Sequence, residues 1–279
     1  MTGTRTTAAG VARQVLSYVW THPANRGRRL RGIARATRFQ IRGRMGLRTM
    51  ATVGSGGRMW AELHCAAASK VVYANPPDWN EMQAWRRLLR PGDLFVDVGS
   101  NVGAYALWAG DAGAQVIAVE PAPDAARRLR ENVALNGYPI GVLQCGLADR
   151  PGRMTLSRGE DTTNHLLFDP DAAGDTIEVD TLDEVLGGRA VAGVKIDVEG
   201  AERLVLEGAR RALAEGRIGA LQIEWNARSV GMLGEDRSPI VALLDGYGYR
   251  FARPDAAGVL HDTDVTPTSP RDIFAVLDR

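Results

Sequence analysis

The sequence predicts an α/β chain organised as a doubly wound, mostly parallel sheet, and three observations carry that reading. Near-continuous apolar runs of strand length occur at Leu94–Val98, Gln115–Val119 and Val194–Val198, as expected for strands buried on both faces. Each run leads into a segment of helical character, at 104–109, 123–135 and 200–214, which is the alternation of a parallel sheet with crossover helices. The first run follows the turn pair Pro91-Gly92 and ends in a glycine turn that opens a helix, the usual place for a ligand in such a sheet.

At 279 residues the chain is long enough for one full core and an extra subdomain. The expected division is an arginine-rich helical and hairpin appendage over residues 1–69 and a main domain over 70–279. The net charge of +1 hides an asymmetry, because residues 1–60 hold twelve arginines and no acid. The remaining segment therefore carries −11, the overall +1 less those twelve. Cys65 and Cys145 are too few for a disulfide framework and lack metal spacing, which suits a reducing compartment such as the cytoplasm. The stretch Gly10–Trp20 is interrupted by Arg13 and is too short to span a bilayer, and no clean cleavage site follows it. Neither a transmembrane helix nor a signal peptide is expected, although an acid-free, arginine-rich start is also compatible with an organelle transit peptide.

In chain order, Val11, Val15, Leu16 and Val19 share a helical face ending near His22-Pro23, and Leu30, Ile33, Thr37 and Ile41 mark the apolar stripe of a second helix. Arg28, Arg31, Arg35, Arg38 and Arg42 crowd its other surfaces. Three roles are open for it: packing with solvated or acid-paired arginines, a lid or dimer element over a substrate mouth, or attraction to a membrane surface or nucleic acid. Thr49–Val53 and Arg58–Leu63 read as a hairpin around Gly54-Ser55-Gly56-Gly57, and Asn75-Pro76-Pro77-Asp78 as a proline turn before a helix over 80–89.

The organising stretch is Asp93–Tyr105. Gly99 and Gly103, with Ser100 and Asn101 between them, let backbone approach a ligand at a helix N-terminus. A dinucleotide site needs G-x-G-x-x-G to hold a pyrophosphate, which Asp97 at the strand end would repel. A carboxylate there suits a cofactor with an ammonium, a sulfonium and no phosphate, namely S-adenosylmethionine. Asp97, Gly99, Ser100, Asn101 and Gly103 form the expected loop for it. Glu120-Pro121 closes the next strand, where Glu120 can accept ribose hydroxyls or cap the following helix. The third strand, 141–147, should end with Leu147 beside the adenine. A polar insertion over 151–179 carries short strand pieces at Met154–Leu156 and Thr176–Val179. It also holds His165, which is either a general base or an incidental loop residue.

The fourth strand, Val194–Val198, ends in carboxylates. Asp197 stands where the strand meets the transferable methyl, and either Asp197 or Glu199 can orient the substrate or take its proton. Glu202 can sit in the first helical turn, while a buried Lys195 demands these acids as partners. The fifth strand, Ala220–Ile223, ends in Glu224-Trp225-Asn226. Asp197, Glu224 and Asn226 then converge from neighbouring strand ends, where they can hold a Mg²⁺ ion that lowers the pKa of a substrate hydroxyl, or the acids can act directly. A helix over 238–244 and strands over 249–252 and 272–277 complete the chain, with 255–270 as loop.

The motifs Val96-Asp97-Val98-Gly99-Ser100-Asn101-Val102-Gly103, Ala118-Val119-Glu120-Pro121 and Lys195-Ile196-Asp197-Val198-Glu199-Gly200-Ala201-Glu202 together resemble the FkbM-type family of S-adenosylmethionine-dependent methyltransferases. Thr181-Leu182-Asp183 is similar to the family pattern as well, and Ser100 stands where members usually have alanine. The resemblance implies a class I methyltransferase fold, a Rossmann-like seven-stranded sheet with an antiparallel terminal pair. It also implies O-methylation of a small-molecule or glycan hydroxyl, such as a sugar or polyketide in secondary metabolism or a glycolipid. A carboxyl methyltransferase and an RNA-directed enzyme using the basic N-terminus are the alternatives. An amine acceptor is disfavoured because Asp78 replaces the aromatic of an Asn-Pro-Pro-aromatic motif. A homodimer through the N-terminal helices is a possible assembly, and nucleic acid is not the expected partner.

Overall fold

The computed structural model describes residues 8–157, 166–167, 173–225, 236–266 and 272–278, with 8–9 and 166–167 as backbone alone. Helices α1 (Ala8–Thr21) and α2 (Arg29–Arg44) open the chain and are followed by the hairpin β1 (Thr49–Val53) and β2 (Gly57–Ala61). Helices α3 (Ala66–Tyr73) and α4 (Trp79–Leu88) flank the proline turn. The alternating part runs β3 (Leu94–Val98), α5 (Ala104–Asp111), β4 (Gln115–Val119), α6 (Pro123–Ala134) and β5 (Ile140–Leu143). Next come β6 (Gly146–Leu147), β7 (Gly152–Leu156), β8 (Leu166–Leu167), β9 (Asp175–Asp180) and α7 (Leu182–Leu186). The remainder is β10 (Val191–Ile196), α8 (Glu202–Glu207), α9 (Arg210–Ala214), β11 (Ile218–Ile223), α10 (Ser238–Gly246), β12 (Tyr249–Pro254), β13 (Leu260–Asp262) and β14 (Ile273–Leu277).

The large sheet has the order β13-β12-β14-β11-β10-β3-β4-β5. Strands β5, β4, β3, β10 and β11 are parallel, and β14 and β12 close the sheet antiparallel. Seven of these strands make up the expected seven-stranded sheet with its antiparallel terminal pair, and β13 adds an eighth at the edge, from a stretch read as loop. Winding starts at β3 and turns outward in both directions, so β3 and β10 flank the switch point at which crevices form. The buried faces of β3 explain its position, since Phe95, Val96 and Val98 are all at most 1% exposed.

Three further elements depart from the sequence reading, each because of a close approach that periodicity does not report. The expected third strand splits after Leu143, and Gly146–Leu147 leave to pair with β9, where a Cβ on Gly146 would lie 2.9 Å from Val179. The helix over 200–214 breaks at Gly208-Ala209, where a Cβ on Gly208 would fall 2.1 Å from the Ala148 carbonyl oxygen. In α2 most of the expected stripe faces outward: Leu30, Thr37 and Ile41 are exposed and Ile33 alone of the four packs against the core, whereas Gly32, Ala36 and Phe39 are buried. Small residues let that face close on α1, and a Cβ on Gly32 would already meet Val19 at 2.9 Å.

One apolar cluster runs from Val19, Phe39 and Met59 through Trp85 to Phe95 and Val116. The N-terminal elements therefore share the core on one face of the sheet, and the 69/70 boundary falls inside α3. A second cluster, around Val194, Ile196 and Leu221, fills the other face. The hairpin is fastened by Asp111 at the end of α5. Its carboxylate accepts hydrogen bonds from the Ser55 and Gly56 amides, the Ser55 and Tyr138 hydroxyls and Arg86, at 2.6–3.1 Å. Burial pushes the Asp111 carboxyl up, but these donors outweigh it and set its pKa at about 2. Among the described residues no helix is long and apolar enough to cross a membrane.

A carboxylate with a depressed pKa stabilises the fold above its ordinary value and loses that contribution as pH falls through the folded value. Asp111→Ala should destabilise the protein by about 2–4 kcal/mol at neutral pH, since several donors lose their partner. The gap in thermal midpoint between variant and parent should then close as the pH is lowered from 3.8 toward about 2. A gap that stays constant across that range would remove Asp111 from this role.

Candidate active site

The carboxyl ends of the central strands are stitched together by the residues just beyond them. The Gly99 and Ser100 amides both donate to the Val119 carbonyl at 3.0 Å, the Asp197 amide to the Val98 carbonyl at 3.0 Å, and the Glu224 amide to the Ile196 carbonyl at 2.9 Å. Asp97, Asp197 and Glu224 are thereby brought to one rim. Gly99 sits at φ +78°, and a Cβ there would fall 1.8 Å from the Asp197 carbonyl oxygen, so the close approach of the two loops requires glycine. Gly103 serves otherwise. It does not line the cavity; it opens α5 at φ +98°, a left-handed conformation that favours glycine, with Leu129 of α6 close by.

A cavity of about 290 Å³ occupies this rim. It is lined by Asp97, Gly99, Ser100 and Asn101 from the glycine loop, by Glu120, Pro121 and Leu147, and by Asp197, Glu199 and Glu224. Asn101 adopts the left-handed conformation at φ +51° and donates its amide to Glu120 Oε2 at 2.8 Å, while the Ala122 amide donates to Oε1 at 2.8 Å. Glu120 thus caps the turn into α6 with a carboxylate that also faces the cavity. Burial raises its pKa to about 7, against those two amide bonds.

The electrostatics are set by Lys195, whose side chain is 5% exposed. Its Nζ lies 2.9 Å from Asp197 Oδ2, 3.9 Å from Asp97 Oδ1 and 4.7 Å from the centre of the Tyr105 ring. Burial opposes the ammonium, but the two carboxylates overcome it and hold Lys195 protonated. Burial raises the Asp97 carboxyl, and Lys195, the Ser100 hydroxyl and the Ala106 amide only partly offset this; the Ser100 hydroxyl donates to the Asp97 backbone carbonyl at 2.6 Å, and neither carboxylate oxygen has a partner at hydrogen-bond geometry among the described residues. For Asp197 the balance is the reverse. Burial pushes it up, and the charge and hydrogen bond of Lys195 bring it below its ordinary value. Glu224, without such a cation, is driven to about 9 by burial and by the charges of Asp197 and Glu199.

Oxygens of Asp197, Glu199 and Glu224 lie within 4.8 Å of one another. Glu199 therefore completes the acidic group, whereas Asn226, the third ligand read from sequence, lies outside the described residues, as does His165. Glu199 itself holds φ +55°, and the loop around it is pinned by Glu202. That side chain, 0% exposed, accepts the Gly200 amide at 3.0 Å and pairs with Arg237 at 3.2 Å. Sequence reasoning missed Lys70, Asp78 and Tyr105, all of which line the cavity. The proline turn was visible, but nothing local tells that it brings Asp78 to the strand ends.

Residues 97–251 match the family described as "Methyltransferase FkbM domain". The chain is 33% identical over 198 residues to the 31-O-demethyl-FK506 methyltransferase FkbM of Streptomyces tacrolimicus, covering 58% of this chain and 74% of that one. It is 33% identical over 124 residues to the hexuronic acid methyltransferase AglP of Haloferax volcanii, covering 43% and 52%, and 32% identical over 117 residues to the methyltransferase sdnD of Sordaria araneosa, covering 38% and 44%. The chain thus spans about half the length of the latter two. The match runs from Asp97 in the glycine loop past the acidic rim and into β12, and on that extent the chain belongs to the FkbM family of methyltransferases.

Proposed function

We propose that the protein transfers the methyl group of S-adenosylmethionine to a hydroxyl of a small molecule or glycan. The observation that carries this reading is Asp97, a buried carboxylate with no partner at hydrogen-bond geometry among the described residues, next to the backbone approach made by Gly99. An ammonium-bearing ligand suits that acceptor and a pyrophosphate does not. Glu120 can accept ribose hydroxyls, and Leu147 offers an apolar surface for the adenine. When bound, the cofactor supplies a methyl group on a sulfonium, an electrophile that needs chiefly alignment with the acceptor oxygen.

The protein's own part is then to hold the hydroxyl and remove its proton. Asp197, kept ionised by Lys195, is the proton acceptor. Glu224 carries a proton at neutral pH and donates a hydrogen bond toward the acceptor, and Glu199 helps to orient it. The names of two relatives, which refer to 31-O-demethyl-FK506 and to hexuronic acid, support an oxygen acceptor on a small molecule or sugar. A second reading has a divalent cation held by Asp197, Glu199 and Glu224, favoured by the mutual approach of their oxygens. The hydrogen bond from Lys195 to Asp197 weighs against it. Among the described residues a carboxyl acceptor is favoured by Lys70 at the cavity, and a base-labile ester product would identify it.

Three measurements bear on these roles. Asp97→Ala and Asp97→Asn, checked for folding by circular dichroism, should weaken S-adenosylhomocysteine binding by about 100-fold or more, as loss of a buried charged partner does; unchanged affinity in both would sink the assignment of Asp97. Because ribose hydroxyls donate to the ionised form of Glu120, affinity should fall by up to about tenfold per pH unit below its pKa of about 7, and Glu120→Gln should flatten that slope. A wild-type affinity with no slope there contradicts the role of Glu120. Asp197→Asn should lower turnover by about 10²–10⁴ with cofactor affinity preserved, whereas Glu224→Gln, one neutral group for another, should keep most activity. If Glu224→Gln is as inactive as Asp197→Asn and the parent is silenced by EDTA, the cation reading replaces the direct one.

A further inference from the structure

Large apolar side chains that face solvent are concentrated at the N-terminal end. Leu30 is 76% exposed, Met45 68%, Ile41 55%, Trp20 46% and Leu16 45%, while beyond residue 50 the exposed large hydrophobics among the described residues are Leu143 and Val259. On α2 the spacing is regular. Leu30, Ala34, Thr37 and Ile41, with Met45 just past the helix end, fall on one side, opposite the buried Gly32, Ala36 and Phe39. This outward stripe is edged by Arg31 and Arg38 on one flank and by Arg29 and Arg44 on the other. Arg29 also stacks over Trp20 of α1 at 5.2 Å, which joins the two helices into a single surface.

None of Arg28, Arg29, Arg31, Arg38 and Arg44 forms an ion pair with a carboxylate among the described residues, and the first 60 residues of the chain contain no acid that could supply one. The start of α2 has the same character. Arg28 gives no side-chain cap, the first turn has no acid, and Gly27–Arg31 line an open hollow there. Uncapped amides at a helix N-terminus ringed by guanidinium groups favour an anion.

The occupant must therefore be both anionic and able to accept hydrocarbon. A second copy would bring arginine faces together with nothing to neutralise them. Nucleic acid answers the charge but offers no burial for Leu30, Ile41 and Met45. An anionic bilayer surface answers both, because its phosphates meet the arginines and its acyl boundary takes the apolar stripe. We propose that the outer face of α1 and α2 docks this protein in the plane of an anionic membrane surface. Docking there also has a consequence for the cavity: α2 packs on α3 through the Phe39–Tyr73 contact, and Ala66, Ala67 and Lys70 of α3 line the cavity, so the site lies one helix away from the lipid-bound face.

The test is flotation of the full chain with vesicles of phosphatidylcholine alone and with about one third phosphatidylglycerol, an anionic fraction large enough to attract a polybasic face. The protein should float with the anionic vesicles only, and less at high salt. Leu30→Ser with Ile41→Ser should reduce partitioning at least about tenfold although no charge changes, and Arg31→Gln with Arg38→Gln should remove the preference for the anionic lipid. Unchanged S-adenosylhomocysteine binding in both double variants verifies that they fold. No flotation of the parent overturns the proposal. So does an apolar double variant that floats as well as the parent and is displaced by an RNA oligonucleotide, which identifies nucleic acid as the occupant. A parent of twice the monomer mass by light scattering that becomes monomeric in the apolar variant identifies a second copy instead.

Discussion

Lys195 enters the middle of a parallel sheet, in register with Asp97 on β3 and Gln222 on β11, and its ammonium has almost no access to water. An isolated charge in that position would be several kcal/mol unfavourable, and removing one member of a buried pair typically costs about 3–5 kcal/mol. Asp97, Asp197 and the Tyr105 ring supply the compensation. The same ammonium divides the carboxylates of the rim into two classes: Asp197 stays ionised beside it, while Glu224, one strand further out, is pushed to about 9 and keeps its proton. One buried cation thus leaves the cavity with an acceptor and a donor side by side.

Topology places these groups, and short-range geometry brings them into contact. The switch between β3 and β10 opens the crevice, but the loops after those strands approach so closely that only glycine fits at position 99. On the far side of the rim, Glu202 and Arg237 form a fully buried pair that pins the Glu199–Gly200 turn. Strain in that turn, where a non-glycine residue holds φ +55°, is supported by this pair and by the amide bonds to Glu202. Glu199 at the cavity is therefore held in place by two buried side chains, Glu202 and Arg237, that do not line it.

Much of this was legible in the sequence because the central strands are short apolar runs with unambiguous ends. The bounds of β3 and β4 agree with the reading, and Asp97 through Asn101, Glu120, Leu147, Asp197, Glu199 and Glu224 all line the cavity. What was not legible depends on contacts between distant segments. Gly32 and Ala36 are buried because neighbouring helices close on them, so hydrophobicity placed Leu30 and Ile41 in the core when of the expected stripe it is Ile33 that packs there. Gly146 and Gly208 mark crossings that split a strand and a helix, and a local pattern cannot tell such a glycine from a flexible one. Gly103 has the spacing of a ligand glycine but does not line the cavity, and its backbone at φ +98° is what favours glycine there. Lys70 and Asp78 reach the cavity from α3 and the proline turn, through a juxtaposition that no spacing encodes.

A calorimetric titration of the parent protein with S-adenosylhomocysteine and, separately, with NAD⁺ tests the phosphate-free reading of the Asp97 site most directly. Binding of S-adenosylhomocysteine that is indifferent to Mg²⁺ or EDTA, with no heat from NAD⁺, is the expected result. Binding of NAD⁺ with no response to S-adenosylhomocysteine would contradict it, because a pyrophosphate would then have been accepted beside a buried carboxylate.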